Sequence, residues 1–163
     1  MKRANRILQH PLYRKALEQI EETEEKRIFC KHDMEHFLAV ARLVWIYNLR
    51  QGANISREVI YAAALLHDIG RAQEYETGRP HHEAGAELAR DILRECGFSE
   101  EERRQISGAI LFHRGSQKES AGEKNDLPRL LYKADKASRN CFVCKARETC
   151  KWQPETMNME LRD

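Results

Sequence analysis

Leu65-Leu66-His67-Asp68-Ile69-Gly70 reads as an apolar helix that runs straight into an adjacent histidine and aspartate. Imidazole and carboxylate are both ligands for first-row metals, and burying them together at the end of an aliphatic run is costly unless something binds them. Gly70 reads as the left-handed residue that ends a helix, which would place the pair in its last turn. Outward from this pair the same residue types recur. His36 lies in His36-Phe37-Leu38-Ala39-Val40-Ala41-Arg42-Leu43-Val44, whose apolar positions repeat at three and four and so share one helical face. Downstream, His81 opens His81-His82-Glu83-Ala84-Gly85-Ala86-Glu87-Leu88-Ala89, and His113 closes Ile106-Ser107-Gly108-Ala109-Ile110-Leu111-Phe112-His113. Asp135 interrupts Leu130-Leu131-Tyr132-Lys133-Ala134-Asp135-Lys136 at a position whose period reads as buried. One such residue is usually a satisfied core group. Five inward-facing helical segments, each offering a ligand, point to a shared cation centre.

In the order His36, His67-Asp68, Asp135, the chain resembles the HD superfamily of metal-dependent phosphohydrolases. The context matches as well: HFLAVA around the first histidine, ALLHDIG around the pair, YKAD at the last aspartate. The resemblance spans about residues 29–139 and implies an all-α fold, an HD-domain helical bundle with the metal site between helices. It also implies a first divalent ion on His36, His67, Asp68 and Asp135. His81 and His113 resemble the extra histidines of members that hold two ions, with Asp68 as the bridge. His81 is preferred over His82 because it stands four residues ahead of Gly85. The mixed N/O donor set suits Mn, Fe, Co, Ni, Zn or Mg, and ligand type does not select among them. The implied activity is a phosphohydrolase that turns a metal-activated water on a small phosphate ester, with nucleotides among the candidates. The catalytic expectation falls on Asp68 for the metal, with Arg71 and Arg79 gripping phosphate through planar guanidinium groups. Arg114, Lys136 and Arg139 are further cations next to ligands in sequence. Two rival readings share these residues: a di-iron HD-type oxygenase using O2 on a small substrate, and a non-catalytic binding module in which metal only ties helices together.

The chain has 163 residues, 41% hydrophobic and 33% charged, enough to bury a core. The expected organisation is an N-terminal helix on the core over 1–28, the HD domain over 29–139 and a Cys-containing tail over 140–163. A formal charge of +2 does not argue for nucleic acid, and charged residues interrupt every apolar run, which argues against a membrane span. Met1-Lys2-Arg3-Ala4-Asn5-Arg6 lacks the apolar stretch of a secretory signal, so the expected location is cytoplasmic. No segment reads a base, a sugar or an oligomeric state.

Local signals place the helices. Pro11 starts a helix to about Lys26, whose Glu21-Glu22-Thr23-Glu24-Glu25 run reads as a solvated face. Asp33 caps the His36 helix, which stops at Gly52, and Ser56 caps the next. Gly78 and Pro80 mark a loop before the His81 helix, and Ser99 with Glu102 forms a capping box for the helix ending at His113. Residues 115–125 read as a mobile loop, and His10 and His32 as surface residues, His32 at the rim of the pocket.

Five cysteines remain to be explained. In a reducing compartment they are thiols or metal ligands. Cys141, Cys144 and Cys150 have the spacing C-x2-C-x5-C, which needs one more residue to complete a four-thiolate set. Cys30 lies six residues before His36, and Cys141 six after Asp135. If those two helices are antiparallel, both cysteines are displaced about 9 Å in one direction and meet at the same end. A second site for structural zinc or an iron–sulfur cluster is therefore expected on Cys30, Cys141, Cys144 and Cys150. Cys96 reads as a packing residue at a helix end.

Overall fold

Asp33 starts the helix that carries His36: its side chain accepts from the His36 backbone N–H at 2.9 Å, and Gly52 closes the helix with φ +62°. The computed structural model describes residues 1–113 and 126–161, which form eight α-helices and no strand among them. They are α1 (Lys2–Gln9), α2 (Pro11–Thr23), α3 (Met34–Gln51), α4 (Arg57–Leu66), α5 (Arg71–Thr77), α6 (His81–Glu95), α7 (Glu100–Phe112) and α8 (Leu127–Ala137). The fold is all-α, as expected. Arg114 and the loop expected over 115–125 lie outside the described residues.

The centre of the bundle is α4, apolar around most of its circumference, with Val59, Ile60 and Ala62 to Leu66 all buried. It packs between α3 and α7, and α8 closes the layer against both of those helices. The start of α3 meets the end of α8 through His36 and Ser138, and Lys133 sits over the Tyr47 ring further along, so the two helices run antiparallel. No helix among the described residues is long and apolar enough to cross a membrane.

Three expectations for the N-terminal segment need correction. It holds two helices, and α2 stops at Thr23 rather than near Lys26. The break falls at His10, which is buried rather than on the surface: its Nδ1 accepts from the Leu12 backbone N–H, its Nε2 reaches Glu95 at 3.1 Å, and Pro11 occupies the first helical position. Arg3 ties α1 to the core by bonds to Glu58 of α4 and Glu102 of α7.

The turn after α4 also differs. Gly70 has φ −83°, so its role is not left-handed helix termination. A Cβ there would lie 2.2 Å from the His81 carbonyl oxygen and 2.5 Å from the Gly85 backbone nitrogen. Gly70 is required because the turn crosses the backbone of α6 at close range. The segment expected to be a loop then begins with a short helix, α5. Beyond α8 the tail folds into three single 3₁₀ turns, and buried Asn158 fastens it by donating to the carbonyls of Lys136 and Arg139.

Candidate metal centre

Five histidines on different segments turn the same way. His67 Nδ1 lies 2.7 Å from the Ala64 carbonyl and His113 Nδ1 2.6 Å from that of Ile110. A carbonyl oxygen only accepts, so both Nδ1 atoms carry a proton, and each ring in its neutral form presents the Nε2 lone pair. His81 Nδ1 faces Glu74 at 2.8 Å and His32 Nδ1 faces Glu24 at 2.5 Å. His36 Nδ1 lies 3.2 Å from Ser138 Oγ, whose own hydroxyl donates to the Asp135 carbonyl. Outer oxygens of this kind fix ring orientation and tautomer at metal sites.

The inward nitrogens converge on two carboxylates. His36, His67, Asp68 and Asp135 form one group of buried ligand atoms, and Asp68, His81 and His113 a second; within each group the atoms lie inside 4.8 Å of one another. Asp68 divides its oxygens between them. Oδ2 faces His67 Nε2 at 3.1 Å and His36 Nε2 at 3.7 Å, whereas Oδ1 faces His81 Nε2 at 3.2 Å and His113 Nε2 at 3.5 Å. Asp135 Oδ1 completes the first group, 3.4 Å from His36 Nε2.

This donor set fits a metal. His67 Nε2 and Asp68 Oδ2 are fully buried yet make no hydrogen bond to protein, a costly state that a cation relieves. His81 Nε2 and His113 Nε2 stand 3.1 Å apart, lone pair toward lone pair, an arrangement that calls for positive charge beside them. The field has the matching sign. Burial works against ionised Asp68, but His67, Arg71 and His32 outweigh it and hold the carboxyl well below its ordinary range. Burial also opposes an imidazolium at His67, yet Asp68 and Asp135 raise it to about 9. At His36 burial wins and the ring falls to about 4; at His81 burial takes it to about 3.

A cavity of about 450 Å³ opens beside the first group, lined by His32, Asp135 and six cations: Arg27, Arg71, Lys136, Arg139, Arg147 and Lys151. Arg71 donates from Nε to Asp68 Oδ1 at 2.9 Å and from Nη1 to Glu74. Arg139 is buried, donates to Asp135 Oδ1 at 2.9 Å, and has Nη2 3.3 Å from His36 Nε2.

Not every expected residue arrives. Arg79 is 47% exposed and pairs with Glu87 at 2.8 Å, outside the cavity lining, because the Gly78 turn carries it onto the outer face of α6. His81 faces the centre, whereas His82 stands beside it with ring centroids 5.7 Å apart. His32, expected on the surface, is buried with Nε2 3.7 Å from Asp68 Oδ2. Its orienting partner, Glu24, lies inside the acidic run that reads as solvent-facing. It is buried, accepts from the His32 backbone at 2.8 Å and from the Tyr75 hydroxyl at 2.6 Å, and is held down to about 2 by these bonds against the opposing push of burial.

The family profile described as HD domain matches residues 33–140, which include all six ligand candidates. The chain belongs to the HD family. A Clostridium beijerinckii protein described as uncharacterized is 38% identical over 161 residues, 99% of each chain. A Bacillus subtilis protein provisionally named as the phosphohydrolase YueE is 33% identical over 108 residues, covering 60% of this chain and 61% of its own length. A crystal structure of a predicted HD superfamily hydrolase from an uncultured Thermotogales bacterium superposes with a TM-score of 0.64 at 24% identity. It covers 91% of this HD chain and 80% of the other, a likeness of fold.

Proposed function

We propose that this HD protein hydrolyses a small phosphate ester at a two-ion centre held by His36, His67, Asp68, Asp135, His81 and His113. One observation carries the reading: two ligand groups share Asp68, and the first opens onto a cavity walled by cations. Divalent ions at such a centre act as Lewis acids, lowering the pKa of a water to roughly 7 and offsetting charge on phosphoryl oxygens.

The protein's own groups do the rest. Arg71 and Lys136 line the cavity wall, where they bind a phosphate dianion and orient it toward the buried ligands. Arg139 neutralises Asp135 from the same wall. His32, aligned by Glu24 and Tyr75, presents Nε2 toward the cavity end of Asp68 and is placed to give a proton to the departing alkoxide. Arg79 has no part in this scheme, since its guanidinium is committed to Glu87. The oxygenase alternative uses the same six ligands; the row of cations favours an anionic substrate.

The test is a screen of phosphate monoesters and nucleotides with Mn²⁺, Co²⁺, Ni²⁺ and Mg²⁺, run beside oxygen uptake by iron-loaded protein. Phosphate release under nitrogen supports the proposal. Oxygen consumption coupled to substrate, without phosphate release, replaces it with the di-iron reading.

A further inference from the structure

Four of the five cysteines meet where the helices that carry His36 and Asp135 end together. Cys30 precedes α3, Cys141 opens the first 3₁₀ turn after α8, and the antiparallel run of α3 and α8 brings both to the same end of the bundle. Cys30, Cys141, Cys144 and Cys150 all line the cavity beside the metal centre. Cys30 is pushed up first by burial, and it feels Arg139 and the other three thiols, so the four share one electrostatic neighbourhood. None is in a disulfide.

The spacing of the thiols speaks to what they hold. A single zinc draws four sulfurs to about 2.3 Å and therefore to within about 4 Å of each other. Among the described residues, three or more ligand atoms lie within 4.8 Å of one another in the two histidine–aspartate groups, and the thiols form no such group. A cube of iron and sulfide carries one thiolate on each iron and spaces the four sulfurs more widely. With four thiolates it is an anion, and Arg27, Arg139, Arg147 and Lys151 stand on the same wall. The buried Arg139 Nε–H makes no hydrogen bond to protein, and a cluster sulfur is an acceptor of suitable kind.

We propose that Cys30, Cys141, Cys144 and Cys150 ligate a [4Fe–4S] cluster that fastens the C-terminal tail against the mouth of the HD centre. The cluster site stands whether or not that centre hydrolyses phosphate esters, because its ligands are separate from the six histidine and aspartate donors.

The full chain, purified without oxygen, is assayed for iron, zinc, acid-labile sulfide and visible charge-transfer absorption. The expected result is about four sulfides per chain. Cys144→Ser and Cys150→Ser reduce this more than tenfold, while Cys96→Ser and Asp68→Ala leave it unchanged. Sulfide reads the cluster alone, so iron at the HD centre does not confuse the result. One zinc per chain without sulfide, or wild-type protein lacking sulfide after anaerobic purification and reconstitution with iron and sulfide, overturns the proposal. The wild-type measurement decides even if a serine variant fails to fold.

Discussion

Replacing Gly70 by alanine adds one methyl group and, at φ −83°, imposes no backbone strain. The cost is steric. The new Cβ would sit 2.2 Å from the His81 carbonyl oxygen and 2.5 Å from the Gly85 nitrogen, both backbone atoms of α6 that no rotamer change can move. A normal contact requires that α6 retreat by about 1 Å from the turn that carries His67 and Asp68. Overpacking of this kind costs about 3 kcal/mol, which lowers Tm by about 10 °C in a chain of this size. His81 rides on the displaced segment, so its Nε2 leaves its 3.2 Å position against Asp68 Oδ1. The second ion should therefore weaken more than the first. The assay pairs thermal unfolding with a calorimetric titration of Mn²⁺, and Gly85→Ala serves as comparison. A Cβ on Gly85 meets nothing nearer than 3.4 Å and should be far milder. If Gly70→Ala binds two ions with wild-type affinity and melts within about 2 °C of wild type, the close crossing does not position the centre.

Other substitutions separate other forces. Gly108 lies inside α7 with open space where a Cβ would go, so Gly108→Ala should raise stability by about 0.5–1 kcal/mol in urea titrations. Glu58 is held down from 4.5 to about 2, first by Arg3. Its stabilisation is present above pH 4.5 and lost as pH falls toward 2. After allowance for solvent screening it is worth about 1 kcal/mol, and Arg3→Ala should flatten that part of the stability–pH curve. Asp68→Ala should abolish turnover and ion binding, whereas Arg71→Ala should retain the ions and raise KM about tenfold, read from steady-state kinetics. Glu24→Gln leaves His32 in place but without its charged partner, and should lower kcat more than KM.

What was legible in the chain was local or periodic. Asp33 and Gly52 mark the ends of α3 because caps act within one turn, and the Ser99–Glu102 box forms with both reciprocal bonds present. The ligand positions could be read because each interrupts an apolar stripe that must face inward. Arg-Ala-Gln-Glu-Tyr-Glu-Thr, the α5 segment, has no such stripe; it folds as a helix alongside contacts from Arg71 and Glu74 to the centre itself. Glu24 and His32 were hidden for a related reason. An acid in an acidic run resembles solvent-facing surface, yet the fold buries Glu24 between His32 and the Tyr75 hydroxyl of α5. Gly70 was recognisable as necessary, but its close approach to α6 depends on a neighbour eleven residues away, whose position no local rule supplies.

Asn158 joins two parts of the cavity lining that come from different stretches of the chain. By donating to the carbonyls of Lys136 in α8 and Arg139 just beyond it, it folds residues after 140 back over a cavity lined by Arg71, Asp135 and Arg139 of the HD match and by Cys144, Arg147 and Trp152 beyond that match. Changes in the outer wall can reshape what enters while every donor atom at the bottom stays where it is. The histidine–aspartate groups and the rim of the cavity are therefore held by different segments of the chain.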